Sequence, residues 1–547
     1  MILKEYPMAK AKTKIPAAEI NAPSSVAYDN VPYTSHPFPQ TNPLLLQSIA
    51  RLFGLTVPAP QKARILEIGC ASGGNIISIA SCYPQSRCVG IDYSQKQIEA
   101  GRADVKALGL KNLKLEHMSV TDITKAFGEF DYIITHGVMS WVPADVQEKI
   151  LEVCKTNLAP DGIAFISYNT LPGWNSVRSL RDIMLFHTSH FPEPAAKVQQ
   201  ARLLLKFLSE STKASKSPLA AAIDREIQLL AGQPDYYIMH EHLEENNTAF
   251  YFHEFMAKAS AHGLQYVADT SIESMYSGNL PEETAKVLAT SMDIVRTEQF
   301  MDFISDRRFR QTLLCHNDRI LNRNMSTDIM REGVLSSRFG YPEGFGKHDI
   351  MNGAALEFQA AGNLKLKTSD PVLLAMLQVF SEHNRELLPF DQLAKLVRAK
   401  LKNAHFVFAQ GQEQLLEETL SLSLMRYLFI GGFHFYLGTF NYVASVSKKP
   451  VASVLARYQV KTQEWISNQC QECKYITAFD RFLINYLDGT RDMAALIDAM
   501  LPHFASKELV MREDDVPLED MAVIRKRLTN ALPDRLKAIA DMAILVA

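Results

Sequence analysis

Ile65-Leu66-Glu67-Ile68-Gly69-Cys70-Ala71-Ser72-Gly73-Gly74-Asn75 is the stretch on which the fold turns. A short apolar run, as a strand buried on both faces requires, passes into a turn of small residues that opens a helix. Gly69 permits the tight turn, while Ala71 and Gly73 leave space for a ligand to approach the backbone. Spacing alone does not choose the ligand, because Gly69-x-Ala71-x-x-Gly74 also passes as a degenerate dinucleotide fingerprint.

Outward from this turn, strands and helices alternate. Strand-like runs are Arg64–Gly69, Cys88–Asp92, Leu113–His117, Tyr132–Thr135 and Ile163–Tyr168, with helical patterns between them at 74–82, 94–108 and 144–157. This order predicts an α/β fold with a parallel sheet covered on both faces. A helical stretch, 176–231, interrupts it. The pattern resumes with a helix over 250–262 and a strand, Leu264–Ala268, expected to complete the sheet. Upstream, prolines at 32, 37, 39 and 43 predict an ordered extended segment followed by a helix. Beyond about 280 the chain turns mostly helical. Segments 366–450 and 458–547 share a plan of helix, short helix, helix and apolar strand, and read as two winged-helix-like modules.

Glu67 is the more discriminating residue of the turn. A carboxylate at that strand end suits the ammonium of S-adenosylmethionine (SAM) and is an awkward neighbour for a pyrophosphate. Asp92, ending the next strand and followed by Tyr93, can accept both ribose hydroxyls, or simply cap the helix after Ser94. Ser119 and Val120 fall where an adenine edge would be read, and Asp122 could equally cap the turn there. His136 and Gly137, after the fourth strand, would lie beside the methionine part of SAM.

The chain of 547 residues is too long for one core. Its hydrophobic share of 47%, charged share of 21% and net charge of −3 are those of a globular protein and give no reason to expect a nucleic-acid partner. Seven scattered cysteines suit a reducing cytoplasm rather than a disulfide framework. The N-terminus has no apolar core of signal-peptide length, and the apolar run Leu428–Val446 is broken by Gly431-Gly432, so a soluble, cytoplasmic protein is expected. Cys470-x-x-Cys473 lacks a second pair. His240-x-His242 would project on one side of a strand without a convincing third ligand, so no metal is expected.

Glu67-Ile-Gly-Cys-Ala-Ser-Gly-Gly-Asn75 resembles motif I of class I SAM-dependent methyltransferases, in the variant that accompanies a methyltransferase regulatory domain. Tyr33-x-Ser35-x-Pro37-Phe38, the run Asp131 to Pro143, Ser167-Tyr-Asn-Thr-Leu-Pro-Gly-Trp174, Glu298 to Phe303 and Phe309 to Cys315 extend the match. Together they resemble the rickettsial-type protein-lysine methyltransferases that act on outer membrane protein B. The resemblance is densest over 26–320 and weakest in the C-terminal modules. It implies a seven-stranded Rossmann-like core, SAM as donor, lysine side chains of an unfolded or extended outer membrane protein as acceptors, and often a homodimer. Ala71 stands where most class I enzymes have glycine, and Met139 where an aromatic is expected. The implied organisation is a flexible tail over 1–25 and a methyltransferase domain over 26–275 with a helical insertion at about 190–232. A regulatory middle domain over 276–365 and winged-helix-like modules over 366–450 and 451–547 would follow.

On the acceptor side, Trp141, Tyr168, Asn169 and Trp174 lie at the ends of strands four and five, where open α/β sheets bind ligands. They could wall a pocket, with Tyr28 or Tyr33 folding over as a lid. An aromatic wall would also hold a methylated ammonium. Each tryptophan could equally be core, His136 could be structural, and Asn169 could satisfy a turn. A small-molecule methyltransferase and a non-catalytic SAM-binding adaptor are the rival readings.

Overall fold

A computed structural model describes residues 35–547, except 214, 216, 245, 292, 361–363, 384, 385, 412 and 514. Seven strands build one sheet: β1 (Arg64–Ile68), β2 (Arg87–Asp92), β3 (Leu113–His117), β4 (Phe130–Thr135), β5 (Leu158–Asn169), β6 (Leu264–Asp269) and β7 (Phe309–His316). Their order is β3-β2-β1-β4-β5-β7-β6. The pairs from β3 to β5 are parallel, and β7 runs antiparallel to both its neighbours. The chain leaves β1 toward β2 and β3, then returns to lay β4 on its other side. The order therefore reverses between β1 and β4, and the crevice outside their carboxyl ends is the place where such sheets bind ligands.

Alternation along the strands explains the burial on both faces. Ile65, Ile134 and Phe165 enter one core, while Leu66, Ile133, Ile166 and Tyr168 enter the other. Helices α1 (Pro43–Leu52), α2 (Gly74–Cys82), α3 (Gln95–Leu108) and α4 (Ala144–Thr156) cover the sheet close to the predicted bounds. The insertion comprises α5 (Trp174–Thr188), α6 (Pro194–Thr212), α7 (Pro218–Leu230) and α8 (Asp235–His242), with a core of its own. The helix α9 (Phe252–Ala261) then leads into β6.

Two expectations are corrected here. The sheet is not completed at 264–268: β7, contributed by residues 309–316, inserts between β5 and β6. A methyltransferase domain ending at 275 would thus lack the strand that joins β5 to the edge strand β6. Arg310 holds β7 against the helix α11 (Ile294–Ser305), which follows the short helix α10 (Glu282–Leu288). Its fully buried guanidinium bonds Asp302 at 2.8 Å and Glu298 at 2.9 Å, and Arg307 pairs with Asp302 at 3.1 Å, so two guanidiniums offset these two buried acids. His240 and His242 sit in α8, not in a strand. Two residues apart on a helix they are rotated by about 200° and cannot share one side.

Further along, a three-stranded antiparallel sheet pairs 334–337 with both 388–389 and 433–436. The helices Pro371–Glu382, Phe390–Asn403 and Leu416–Leu428 pack on it. The central strand of this module, 334–337, precedes the expected boundary at 366, and the module's core is continuous with one face of the large sheet. Residues from about 452 form a separate core with helices Ala478–Tyr486, Met493–Ala505 and Met521–Asp541. Among the described residues no helix is long and apolar enough to cross a membrane.

Candidate active site

The turn after β1 is built as its residues predict. Gly69, Ala71 and Gly73 all take left-handed backbone conformations, with φ of 75°, 49° and 85°. At Gly69 any side chain is excluded twice over, because a Cβ would lie 2.3 Å from Val138 Cγ2. Ala71 accepts the same hand with the smallest side chain available other than glycine.

Glu67 ends β1 only 3% exposed. Its Oε1 accepts a 2.7 Å hydrogen bond from Asn75 Nδ2. Its Oε2 is buried and has no hydrogen-bond partner among the described residues. Burial pushes the carboxyl up to about 7, against the pull of the Asn75 bond. A buried acid with one oxygen left over is a fitting seat for a cationic amine. Asp92 ends β2, its Oδ2 accepting from Ala71 N–H and its Oδ1 from Ser94 N–H, each at 2.8 Å. These bonds fix the plane of the carboxylate and leave a lone pair on each oxygen for a diol. The N-cap of α3 is Ser94, whose own side chain accepts from the Gln97 N–H, so Asp92 is not the cap. Tyr93 is half exposed beside it.

Ser119 begins a short 3₁₀ turn, its Oγ accepting from the Thr121 N–H at 3.2 Å while Asp122 accepts from the Ser119 N–H. Asp122 is therefore a cap. Val120 is buried beneath it. His136, after β4, lies under Phe38, ring centroids 4.0 Å apart. It bonds Ser167 Oγ through Nδ1 at 3.0 Å and Gln40 Nε2 through Nε2 at 2.9 Å. Burial holds the ring neutral by lowering its pKa to about 4. The Gly137 N–H donates to the same Ser167 Oγ at 2.8 Å, and the space where a Gly137 Cβ would project is open.

An N-terminal strap lies on this side; a lid from this end of the chain was expected, but on Tyr28 or Tyr33 rather than on the segment from Ser35 to Thr41. Ser35 Oγ accepts from the Gly74 N–H, and Asn75 Oδ1 accepts from the Phe38 N–H. Thr41 bonds Asn75 as well. Proline-rich spacing announced an ordered segment but not where it would lie. Tyr28 and Tyr33, expected as lid residues, lie outside the described residues.

The acceptor side divides. Trp141 and Trp174 meet edge to face, centroids 6.4 Å apart, and Trp174 Nε1 donates to Asn247 Oδ1 at 2.8 Å. Asn169 shares its strand face with Ser167, is buried, and its Nδ2 lacks a partner among the described residues. Tyr168 points the other way. It is 1% exposed, stacks on Phe255 at 4.0 Å and bonds Thr312 Oγ1 at 2.9 Å. The two-residue period of β5 puts it in the core, and it does not join Trp141 and Asn169. Met139 is likewise wholly buried in that core. Phe309, whose ring lies 6.1 Å from His136, is a neighbour the sequence reading missed, because β7 was not placed in the sheet.

Known proteins share this architecture. A methyltransferase-domain model matches residues 65–162, a predicted methyltransferase regulatory domain 234–316, and the PKMT C-terminal winged-helix domain 448–544. An uncharacterized protein of Rickettsia prowazekii is 42% identical over 537 residues, 96% of each chain. The structure of PKMT2 from Rickettsia typhi superposes with a TM-score of 0.86 at 33% identity, covering 94% of this chain and 100% of that one. The chain belongs to the PKMT family. The same PKMT2 in complex with AdoHcy matches with a TM-score of 0.85 and 34% identity. Together with the methyltransferase-domain match, this makes the protein a SAM-dependent methyltransferase. The winged-helix match falls on the C-terminal of the two expected modules, with nearly the expected bounds.

Proposed function

We propose that this PKMT-family enzyme methylates lysine side chains of a protein substrate, of the kind presented by an unfolded or extended outer membrane protein. The reading is carried by the end-to-end match to PKMT2, which includes the regulatory and winged-helix regions as well as the cofactor core. A small-molecule enzyme would have no evident use for these additions.

Bound SAM supplies an activated methyl on a sulfonium. The protein's residues have two tasks. The first is to hold the donor: Glu67 would take the ammonium, Asp92 the ribose, and Ser119 with Val120 the adenine edge, while Gly69, Ala71 and Gly73 would leave it room at the backbone. The second is to present a neutral amine in line behind that methyl, the geometry an in-line displacement needs. A lysine of ordinary pKa must lose a proton first, at a cost of about 4.6 kcal/mol at pH 7. An apolar approach past Trp141, Trp174 and Phe309 favours the neutral form, and Asn169 is available to orient it. The aromatic faces then hold the methylated ammonium. His136, kept neutral by burial, serves as a wall and hydrogen-bond anchor in this scheme rather than as a base.

We assign the middle and C-terminal modules to gripping the extended substrate, the insertion to dimer formation, and the enzyme to the cytoplasm. The test is incubation of the full chain with labelled SAM and unfolded outer membrane proteins, lysine peptides and a metabolite extract, with mass spectrometry of the acceptors. Methyl-lysine in protein is the expected product. Label confined to metabolites defeats the proposal.

A further inference from the structure

The loop between strands Trp465–Ser467 and Cys473–Tyr475 of the winged-helix domain leaves that domain's own core and reaches the cofactor cradle. Gln471, at its tip, has a left-handed backbone with φ of 62° and is fully buried. A non-glycine residue persists in that conformation only where its surroundings hold it. They do so here. Asn468 Oδ1 accepts from the N–H groups of Cys470 and Glu472 at 3.0 and 2.8 Å, and its Nδ2 donates to Glu472 and to the Met542 carbonyl. The loop is thus braced from behind.

At the front, Gln471 Nε2 donates to Thr41 Oγ1 at 3.0 Å and to Asn75 Oδ1. Asn75 Nδ2 in turn donates to Glu67 Oε1. An asparagine amide has two orientations, and only one turns its NH₂ toward the carboxylate. Gln471 supplies a donor to Oδ1, as does the Phe38 N–H, and so favours that orientation. Within this one bonded chain, Glu67 Oε2 and Gln471 Oε1 are both buried acceptors without a partner among the described residues. Such groups are costly unless a ligand donates to them.

We propose that Gln471 is a positioning residue for SAM: through it the C-terminal winged-helix domain sets the aim of Asn75 and Glu67, and cofactor affinity depends on that domain. The inference rests on the cofactor assignment alone and is independent of the methyl acceptor.

The test is calorimetric titration of the full chain with S-adenosylhomocysteine, which carries the same ammonium. Gln471→Ala should raise Kd about ten-fold, as expected for lost hydrogen bonds beside a charged group. KM for SAM should rise in parallel, with kcat within about two-fold, as expected when binding rather than the chemical step is weakened. Gln471→Glu keeps the volume and removes the donor, so it should reproduce the loss even if the alanine variant is less stable. Tyr458→Phe deletes another link between the same domains, the 2.7 Å bond to Asp104, and should leave Kd unchanged. Unchanged affinity in both Gln471 variants overturns the proposal. So does an equal loss in Tyr458→Phe, or a fall in kcat alone.

Discussion

Glu67→Gln should make the empty protein more stable and the cofactor bind more weakly, with a pH dependence that follows from one buried carboxyl. In the structure Glu67 is raised from an ordinary 4.5 to about 7, chiefly by burial. A raised folded-state pKa means that the native state favours the protonated form. The stability tied to Glu67 is therefore full below pH 4.5, falls as pH rises toward 7, and is lost above it. That difference corresponds to roughly 3 kcal/mol at pH 8. Glutamine mimics the neutral acid and still accepts from Asn75 Nδ2. Scanning calorimetry of the ligand-free protein should thus show Glu67→Gln with the higher Tm at pH 8, the gap closing toward pH 5. Binding runs the other way, because the ammonium needs the ionised form. Between pH 6.0 and 7.5 a group of pKa about 7 becomes about eight times more ionised, so S-adenosylhomocysteine affinity of the wild type should rise about eight-fold. The Glu67→Gln profile should be flat, and at pH 7.5 about ten-fold or more weaker, as for a lost charge-assisted hydrogen bond. A variant that binds as tightly as wild type, or whose Tm advantage is equal at pH 5 and pH 8, would refute the role given to this acid.

Asp92→Ala removes the fixed acceptor pair at the end of β2 and should lower cofactor affinity by at least about 100-fold in calorimetry, equivalent to two charge-assisted bonds; unchanged affinity sinks the ribose assignment. Arg310→Met leaves Glu298 buried without its cation and Asp302 with Arg307 alone, and should cost about 3–5 kcal/mol in denaturant unfolding; a neutral outcome would mean that the cluster is hydrated. Trp141→Ala should raise KM for a protein acceptor while leaving S-adenosylhomocysteine affinity unchanged, and the opposite pattern would remove it from the acceptor wall. Burial holds His136 at about 4, so the rate profile between pH 5.5 and 9 should keep its shape in His136→Asn; loss of an inflection there would make the ring a participating base.

Much of the turn after β1 and of the end of β2 was legible because their determinants are local. Glu67, Gly69, Ala71, Gly73 and Asp92 sit at a strand end and in a turn, where residue type, backbone hand and neighbouring helix cap are set within a few positions. Periodicity located most strand cores and helices of the sheet for the same reason. Tyr168 shows the limit of that method. Its proximity to Asn169 in sequence suggested a shared pocket, yet a strand sends successive side chains to opposite faces.

By itself the sequence determined the Rossmann-like core, the acids that end its first two strands and the winged-helix character of the C-terminal module, since each depends on patterns within one or two elements. Only tertiary structure decided that residues 309–316 supply the antiparallel strand between β5 and β6, that the segment from Ser35 to Asn42 bonds the turn after β1, and that Gln471 reaches Asn75 from 396 positions away. Those outcomes come from packing between distant parts of the chain, where the partner of a buried polar group or of a strand edge is chosen by geometry and is not written in the residues around it.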